Sequence, residues 1–473
     1  MARKLEKIKL LFDYKVPSGF LQFGYQKNEI PEIFEYHTRV SEETFEYMDT
    51  SIIRRWDKKQ QWCKSQYFQE FMSNPHNWEC VMTHELYEGQ NPQDRFIDSD
   101  THYLIPMESS WWQGDFLEYT LETEFKWKDC FSKKLLKLLK IYPNVRILCV
   151  DAREGSYIMH KEVFEKMLSF LDEEEINHKN KIIISGIDDK MQEKIPNDKR
   201  ITFFNNEWYI SKAGEFVTQC LTNDEGIKSD RIKHNYEYDI RHHWEHRDVK
   251  KYFNMMNRNS SRLHRPYFVG RLIEEGLLDK GFVSLMTKSK ELETAGLTIP
   301  NSVKSKKCKA YDAVREIYPL FIDEEDSEKV SEFHNYLSVN TPYVQSLFTI
   351  VGETNAEKDF LFITEKTIKP IMNLHPFFVI GNPYTLKKLK TLGFKTFSSI
   401  WNEAYDEEEN LDNRIEMVID EVKKLTELSL DELLEKIQKI KNICIYNREL
   451  LVKIYHENPR YKNLKKCLQK TVI

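Results

Sequence analysis

Apolar and polar positions fall into two regular blocks separated by a polar stretch. In the first block, Leu135, Leu136, Leu138 and Leu139 mark a helix, and 145–151 is an apolar strand. A helix over about 160–172 follows, with Val163, Phe164, Met167 and Leu168 on one face. Residues 181–185 and 201–205 predict two more strands. The second block opens with a strand at 249–256, a polar loop, and a helix that starts at Pro266 and ends near Gly276. A strand at 345–351 leads to Glu353. Thr364 suits the N-cap of a short helix that Pro370 limits or kinks. The run 376–380, ended by Gly381, reads as a buried parallel strand. Asn382 and Pro383 begin another helix, Gly393 ends it, and 395–397 resumes as a short strand. After Asp406, Ile415, Val418, Ile419, Val422 and Leu425 mark one amphipathic helix. Leu430, Leu433, Leu434, Ile437 and Ile440 mark the next, opened by a Ser429–Glu432 capping box.

Strands alternating with helices predict an α/β protein of two Rossmann-like domains facing a cleft. The first, 1–240, begins with an irregular, aromatic-rich part holding strands at 8–13, 79–85 and 101–106. The second is 247–440, in which 286–330 reads as a charged insertion with a helix near 309–317. A helical tail over 441–473 turns basic at Lys462, Lys465 and Lys466. The polar stretch 222–250 is the expected hinge.

Composition narrows the function. Lys plus Arg is 70 and Asp plus Glu is 76, a net charge of −6, which counts against a general nucleic-acid binder. With 15 glycines and neither G-x-x-x-x-G-K-[ST] nor G-x-G-x-x-G, no glycine-rich phosphate cradle is expected. Any phosphate falls to Arg, Lys and helix N-termini. Eight scattered cysteines without a C-x-x-C pair fit a reduced chain. No signal peptide or membrane-length apolar run is found, so a cytoplasmic location is expected.

The candidate chemistry centres on Lys366. A lysine in a first helical turn opposes the helix dipole unless an anion is near. Arg258, Arg262 and Arg265, between a strand and a helix, compete as partners for phosphate oxygens. Asp151 and Glu154, at a predicted strand end, are candidates for the base that deprotonates an acceptor hydroxyl. Weaker patterns have simpler readings. Asp98 and Asp100 could hold a divalent ion, but a solvated turn is favoured. Trp111 and Trp112 could stack on a sugar, but core or lid positions are favoured. His242 and His246 have metal-ligand spacing with no third ligand, so a solvated linker is favoured.

Thr364-Glu365-Lys366 resembles the triplet in the donor domain of GT-B glycosyltransferases, especially the α1,3-fucosyltransferase-like enzymes of microbial and viral type. The strand ending at Glu353, and Gly393, Phe394, Phe397, Trp401, Glu403, Tyr405 and Asp406, resemble further parts of that pattern over about 250–425. The resemblance implies a transferase that moves a sugar from a nucleoside-diphosphate sugar to a hydroxyl acceptor, a glycan in the favoured case. It implies no cofactor beyond the donor, inversion at the sugar carbon, Glu365 on the donor ribose and Lys366 on its phosphates. Glu353 would line the donor pocket, and no metal is required. Two alternatives remain: a phage-type transferase acting on a DNA base, and a non-catalytic glycan-binding or scaffold protein.

Overall fold

The computed structural model describes residues 7–12, 79–82, 101–108, 128, 131, 133–150, 161–185, 197–204, 210, 213–214, 217–218, 248–257, 260, 262–286, 307–320, 322, 341–356, 361–457 and 459–469. Two compact units divide the chain. One comprises Met1–Trp208 with Asn458–Ile473, and the other Tyr209–Glu457. This division differs from boundaries at 240/247 and 440/441. Ile210, Ala213 and Val217 are buried in the core of the second unit, so the chain crosses over before the polar stretch. The last helix belongs to the first unit.

The first unit carries strands β1 (Lys7–Phe12), β2 (Glu79–Met82), β3 (Thr101–Glu108), β4 (Val145–Val150), β5 (Ile182–Ser185) and β6 (Ile201–Phe204). They form one sheet in the order β2-β1-β3-β4-β5-β6, and every pairing is parallel. Helix α1 (Lys133–Ile141) leads into β4, and α2 (Lys161–Glu173) joins β4 to β5. Phe164, Met167, Phe170 and Leu171 are all buried, as the helical spacing requires. Residues 103–105, 147–149 and 182–184 are consecutive buried apolar positions, as a parallel sheet covered on both faces requires.

The amino ends of β3, β4 and β5 hold three buried basic side chains, His102, Arg146 and Lys181. Arg146 Nη1 donates to His102 Nδ1 at 2.6 Å, and burial, reinforced by Arg146 and Lys465, lowers His102 to about 3. Lys181 Nζ donates to the carbonyls of Tyr142 (2.5 Å) and Val145 (2.8 Å), just past the end of α1. Burial, with the charge of Arg146 added, lowers Lys181 to about 6. A neutral amine has two N–H groups, which matches these two bonds.

The second unit carries β7 (Lys251–Asn257), β8 (Gly281–Leu285), β9 (Ser346–Gly352) and β10 (Phe377–Ile380), in the order β10-β9-β7-β8, again all parallel. Helix α3 (His264–Glu274) connects β7 to β8. It begins two residues before the expected Pro266. Proline is tolerated in a first turn because the N–H it lacks has no intrahelical partner there. Strand β8, five residues opened by a glycine, is an element the sequence reading did not include. Helix α4 (Lys307–Ile317) packs on α3 so closely that a Cβ on Gly270 would lie 2.1 Å from the Ala310 carbonyl oxygen. A short helix, α5 (Thr341–Val344), precedes β9.

Helix α6 (Glu365–Met372) connects β9 to β10, and α7 (Thr385–Thr391) follows β10. Helix α7 starts two residues later than Pro383 suggested, because Tyr384 takes a left-handed conformation (φ 67°). No strand forms at 395–397. The Asn447 amide instead accepts from Lys395 N and donates to Lys395 O, each at 2.8 Å. Helices α8 (Leu411–Thr426), α9 (Leu430–Gln438) and α10 (Lys441–Glu457) complete this unit, and α11 (Pro459–Gln469) returns to the first. The Ser429–Glu432 capping box is present. An aromatic core runs through Phe348, Phe378 and Trp401, with the Phe378 and Trp401 rings stacked at 4.2 Å.

The buried amine makes stability depend on pH. Between the folded value near 6 and the ordinary value of 10.5, the unfolded chain binds a proton that the folded chain does not. Stability from this group is therefore complete above the unfolded value and is lost as pH falls towards 6. The melting temperature should rise from pH 6 to pH 9, by at most roughly 1.4 kcal/mol of stability per pH unit from this group. Lys181→Met should flatten that rise. Parallel melting curves for the two proteins across this range would show that Lys181 stays charged when folded.

Candidate functional site

In the second sheet, β7 runs through α3 to β8 on one side, and β9 runs through α6 to β10 on the other. The β7–β9 pair is therefore a topological switch point, where open α/β sheets bind ligands beyond the carboxyl ends of their strands. Right-handed crossovers put the two connecting helices on opposite faces of the sheet. The polar residues of interest lie at that carboxyl end.

Glu353, the residue after β9, is fully buried. Its carboxylate accepts from Thr354 N (3.0 Å), Thr364 N (3.0 Å), Thr364 Oγ1 (2.6 Å), Thr367 N (3.3 Å) and Thr367 Oγ1 (2.5 Å). Its main-chain carbonyl accepts from His264 Nε2 (2.7 Å) and Arg265 Nη2 (3.0 Å). Arg265 Nε also donates to Gly352 O at 3.1 Å. Space beside Gly352 is tight: a Cβ would lie 2.7 Å from Asn257 Oδ1 and 3.2 Å from Arg265 Cγ, so a larger residue would displace the Asn257 side chain. Burial, with the charges of Arg265, Arg262 and Arg414, lowers His264 to about 3. The ring is neutral, so its Nε2–H is the donor to the Glu353 carbonyl.

Thr364 caps α6 as expected, in extended conformation, with Oγ1 accepting from Lys366 N at 3.2 Å. Lys366 Nζ contacts Glu365 Oε1 and donates to Thr354 Oγ1 at 3.1 Å. The two charged side chains are 27% and 24% exposed. Burial opposes the charge on Glu365, yet Lys366 and then Lys369 hold its carboxyl below the usual range. The anion that a lysine in this turn calls for is thus partly supplied by its neighbour. The amides of Lys366 and Thr367 are taken by Thr364 Oγ1 and Glu353 Oε1. An anion arriving here meets side chains first, and not those two amides.

Of the other expected site residues, Arg262 is half-buried before α3 and close enough to influence His264. Arg265 is buried, and its described bonds serve the frame. Arg258, Asp151 and Glu154 lie outside the described residues, as do Asp98, Asp100, Trp111, Trp112, His242 and His246. Among the described residues, no group of three or more His, Cys, Asp or Glu could hold a metal ion.

One cation escaped sequence reasoning. Arg414, in the first turn of α8, is buried; Nη2 donates to Ala356 O at 2.7 Å and Nη1 to Glu408 O. The signal was present, since Arg414 shares the apolar face with Leu411, Ile415 and Val418. The residues after Gly393 also have structural work. Glu403 accepts from Phe397 N (2.6 Å), Thr396 Oγ1 (2.7 Å) and Lys390 Nζ (3.1 Å). Asp406 accepts from Leu386 N (2.8 Å) and Lys387 N (2.9 Å), capping α7.

No protein-family model, curated protein or solved structure matches this chain. Among the described residues, no helix is long and apolar enough to cross a membrane.

Glu353→Gln leaves one acceptor oxygen where two are used and turns an NH2 group towards N–H and O–H donors. Unfolding free energy should fall by roughly 2–4 kcal/mol, read by denaturant titration. Lys366→Ala, which removes a partly exposed pair, should cost no more than about 1 kcal/mol. Equal losses for the two variants would mean that Glu353 does not organise this end of the sheet.

Proposed function

We propose that the chain is a glycosyltransferase that moves a sugar from a nucleoside-diphosphate sugar to a hydroxyl acceptor, with a glycan the favoured acceptor. The observation that carries the reading is the Glu365–Lys366 pair, partly exposed at the carboxyl end of the β7–β9 switch point and backed by buried Glu353. The Thr-Glu-Lys resemblance supports the same reading. Lys366, with Arg262 and Arg258, neutralises the donor diphosphate, and Glu365 accepts from the donor ribose. Arg265 and Glu353 hold the strand ends and helix starts that orient these groups.

In the reaction the acceptor oxygen attacks the anomeric carbon. The bond from that carbon to the diphosphate oxygen breaks, and the diphosphate leaves with the electron pair. Asp151 or Glu154 takes the acceptor proton. Fixed cations favour the developing charge on the leaving group, which supplies the selective stabilisation that transfer needs.

A thermal-shift screen against UDP-, GDP-, dTDP- and CMP-sugars tests the donor class. A ligand at 100 times its dissociation constant stabilises by about 2.7 kcal/mol. Lys366→Ala should weaken nucleoside-diphosphate binding by roughly 1–2 kcal/mol, because the ammonium is partly solvated, and leave free nucleoside binding nearly unchanged. Calorimetry with both ligands reads this. Equal diphosphate affinity in the two proteins would remove Lys366 from the donor site.

On the acceptor side, Asp151→Asn or Glu154→Gln should lower kcat by roughly 10²–10⁴-fold with donor affinity kept. Full turnover in both variants would place the base elsewhere.

A further inference from the structure

Lys366 already has an anion. Its ammonium contacts Glu365 Oε1 and is steadied by Thr354 Oγ1 at 3.1 Å. The helix N-terminus beside it is also occupied, since the Lys366 and Thr367 amides are bonded to Thr364 Oγ1 and Glu353 Oε1. Two of the three N–H groups of the ammonium are thus engaged, and an incoming anion competes with Glu365 for its charge.

That competition draws the lysine from a carboxylate whose side chain is only 24% exposed. A half-buried carboxylate that gives up part of this contact, with only the charge of Lys369 to replace it, gains from new donors. A simple anion brings none and adds a second negative charge beside Glu365. A ligand that carries a multiply charged anion and, on the same molecule, neighbouring hydroxyl groups satisfies both ends of the broken pair.

We propose that Glu365 is an internal competitor for Lys366, so that the site admits a diphosphate joined to a diol-bearing sugar and discriminates against the diphosphate alone. This rests on the donor-site reading above and adds to it a reason for the adjacent opposite charges. Recognition of the two halves is coupled: the hydroxyl groups hold Glu365 away, and the phosphates take the lysine.

The test is calorimetry on the full chain, comparing wild type, Glu365→Gln and Lys366→Ala, with inorganic pyrophosphate, UDP and GDP as the probes. Glu365→Gln removes the competitor and its charge, so pyrophosphate should bind about 3- to 10-fold more tightly than to wild type. The better of UDP and GDP should gain less or lose affinity, because the amide is a poorer hydroxyl acceptor than a carboxylate. Lys366→Ala should weaken both. Glu365→Ala should shift pyrophosphate binding in the same direction, and matching melting temperatures show that the variants are folded. Unchanged or weaker pyrophosphate binding in Glu365→Gln, with wild-type binding still dependent on Lys366, would overturn the competition and leave the donor site standing. No binding of UDP, GDP or pyrophosphate to wild type would overturn the donor-site reading, and the competition with it.

Discussion

A buried carboxylate has to be met by donors, and Glu353 shows how far that requirement organises a fold. Taking the group out of water is costly, and charge-assisted bonds to amides and hydroxyls offset the cost only when the geometry is complete. Its five donors come from Thr354, Thr364 and Thr367, which fixes the start of α6 against the end of β9. The carbonyl of the same residue is held by His264 and Arg265 at the start of α3. One residue thus sets the relative position of two helices that leave neighbouring strands. The partly exposed Lys366 and half-buried Arg262 take their places from that frame.

Much of the second unit was legible because its determinants are local. The Thr364 cap, the Ser429–Glu432 box and the apolar run of β10 each lie within a few residues of the structure they specify. The failures are non-local. Lys395 has strand-like neighbours, but the partner for its backbone is the Asn447 side chain, 52 residues away. The shift in the start of α7 follows from Asp406, whose carboxylate and carbonyl arrange Tyr384, Leu386 and Lys387 from about twenty residues downstream.

The candidate site divides the same way. That Lys366 is out of place for a helix dipole could be read directly from the sequence. That its first counter-charge is Glu365 depends on how two flexible side chains lie, which no pattern of residue types encodes. Glu353 and Arg265 stood out as polar residues at strand and helix ends. Their bonds with the Thr364 cap, with Thr367 and with the β9 carbonyls span 11 to 88 positions, so their structural share of the work was hidden. Arg414 was overlooked because a charged residue on an apolar helix face looks like an interruption until its carbonyl partners are known.

The connection between β9 and α6 is fastened at both ends. Glu353 clasps Thr364 across 11 positions, and Arg414 grips Ala356 from another helix. Closing a loop is an entropic expense that grows only slowly with its length, and here the frame around the loop meets it. The described ends of this connection, Ala356 and Thr364, are therefore held by side chains of other elements and of the strand end. The start of α6 keeps its place through those bonds, whichever side chains it turns outward. A lineage could exchange the partly exposed Glu365 and Lys366 without renegotiating the architecture that presents them.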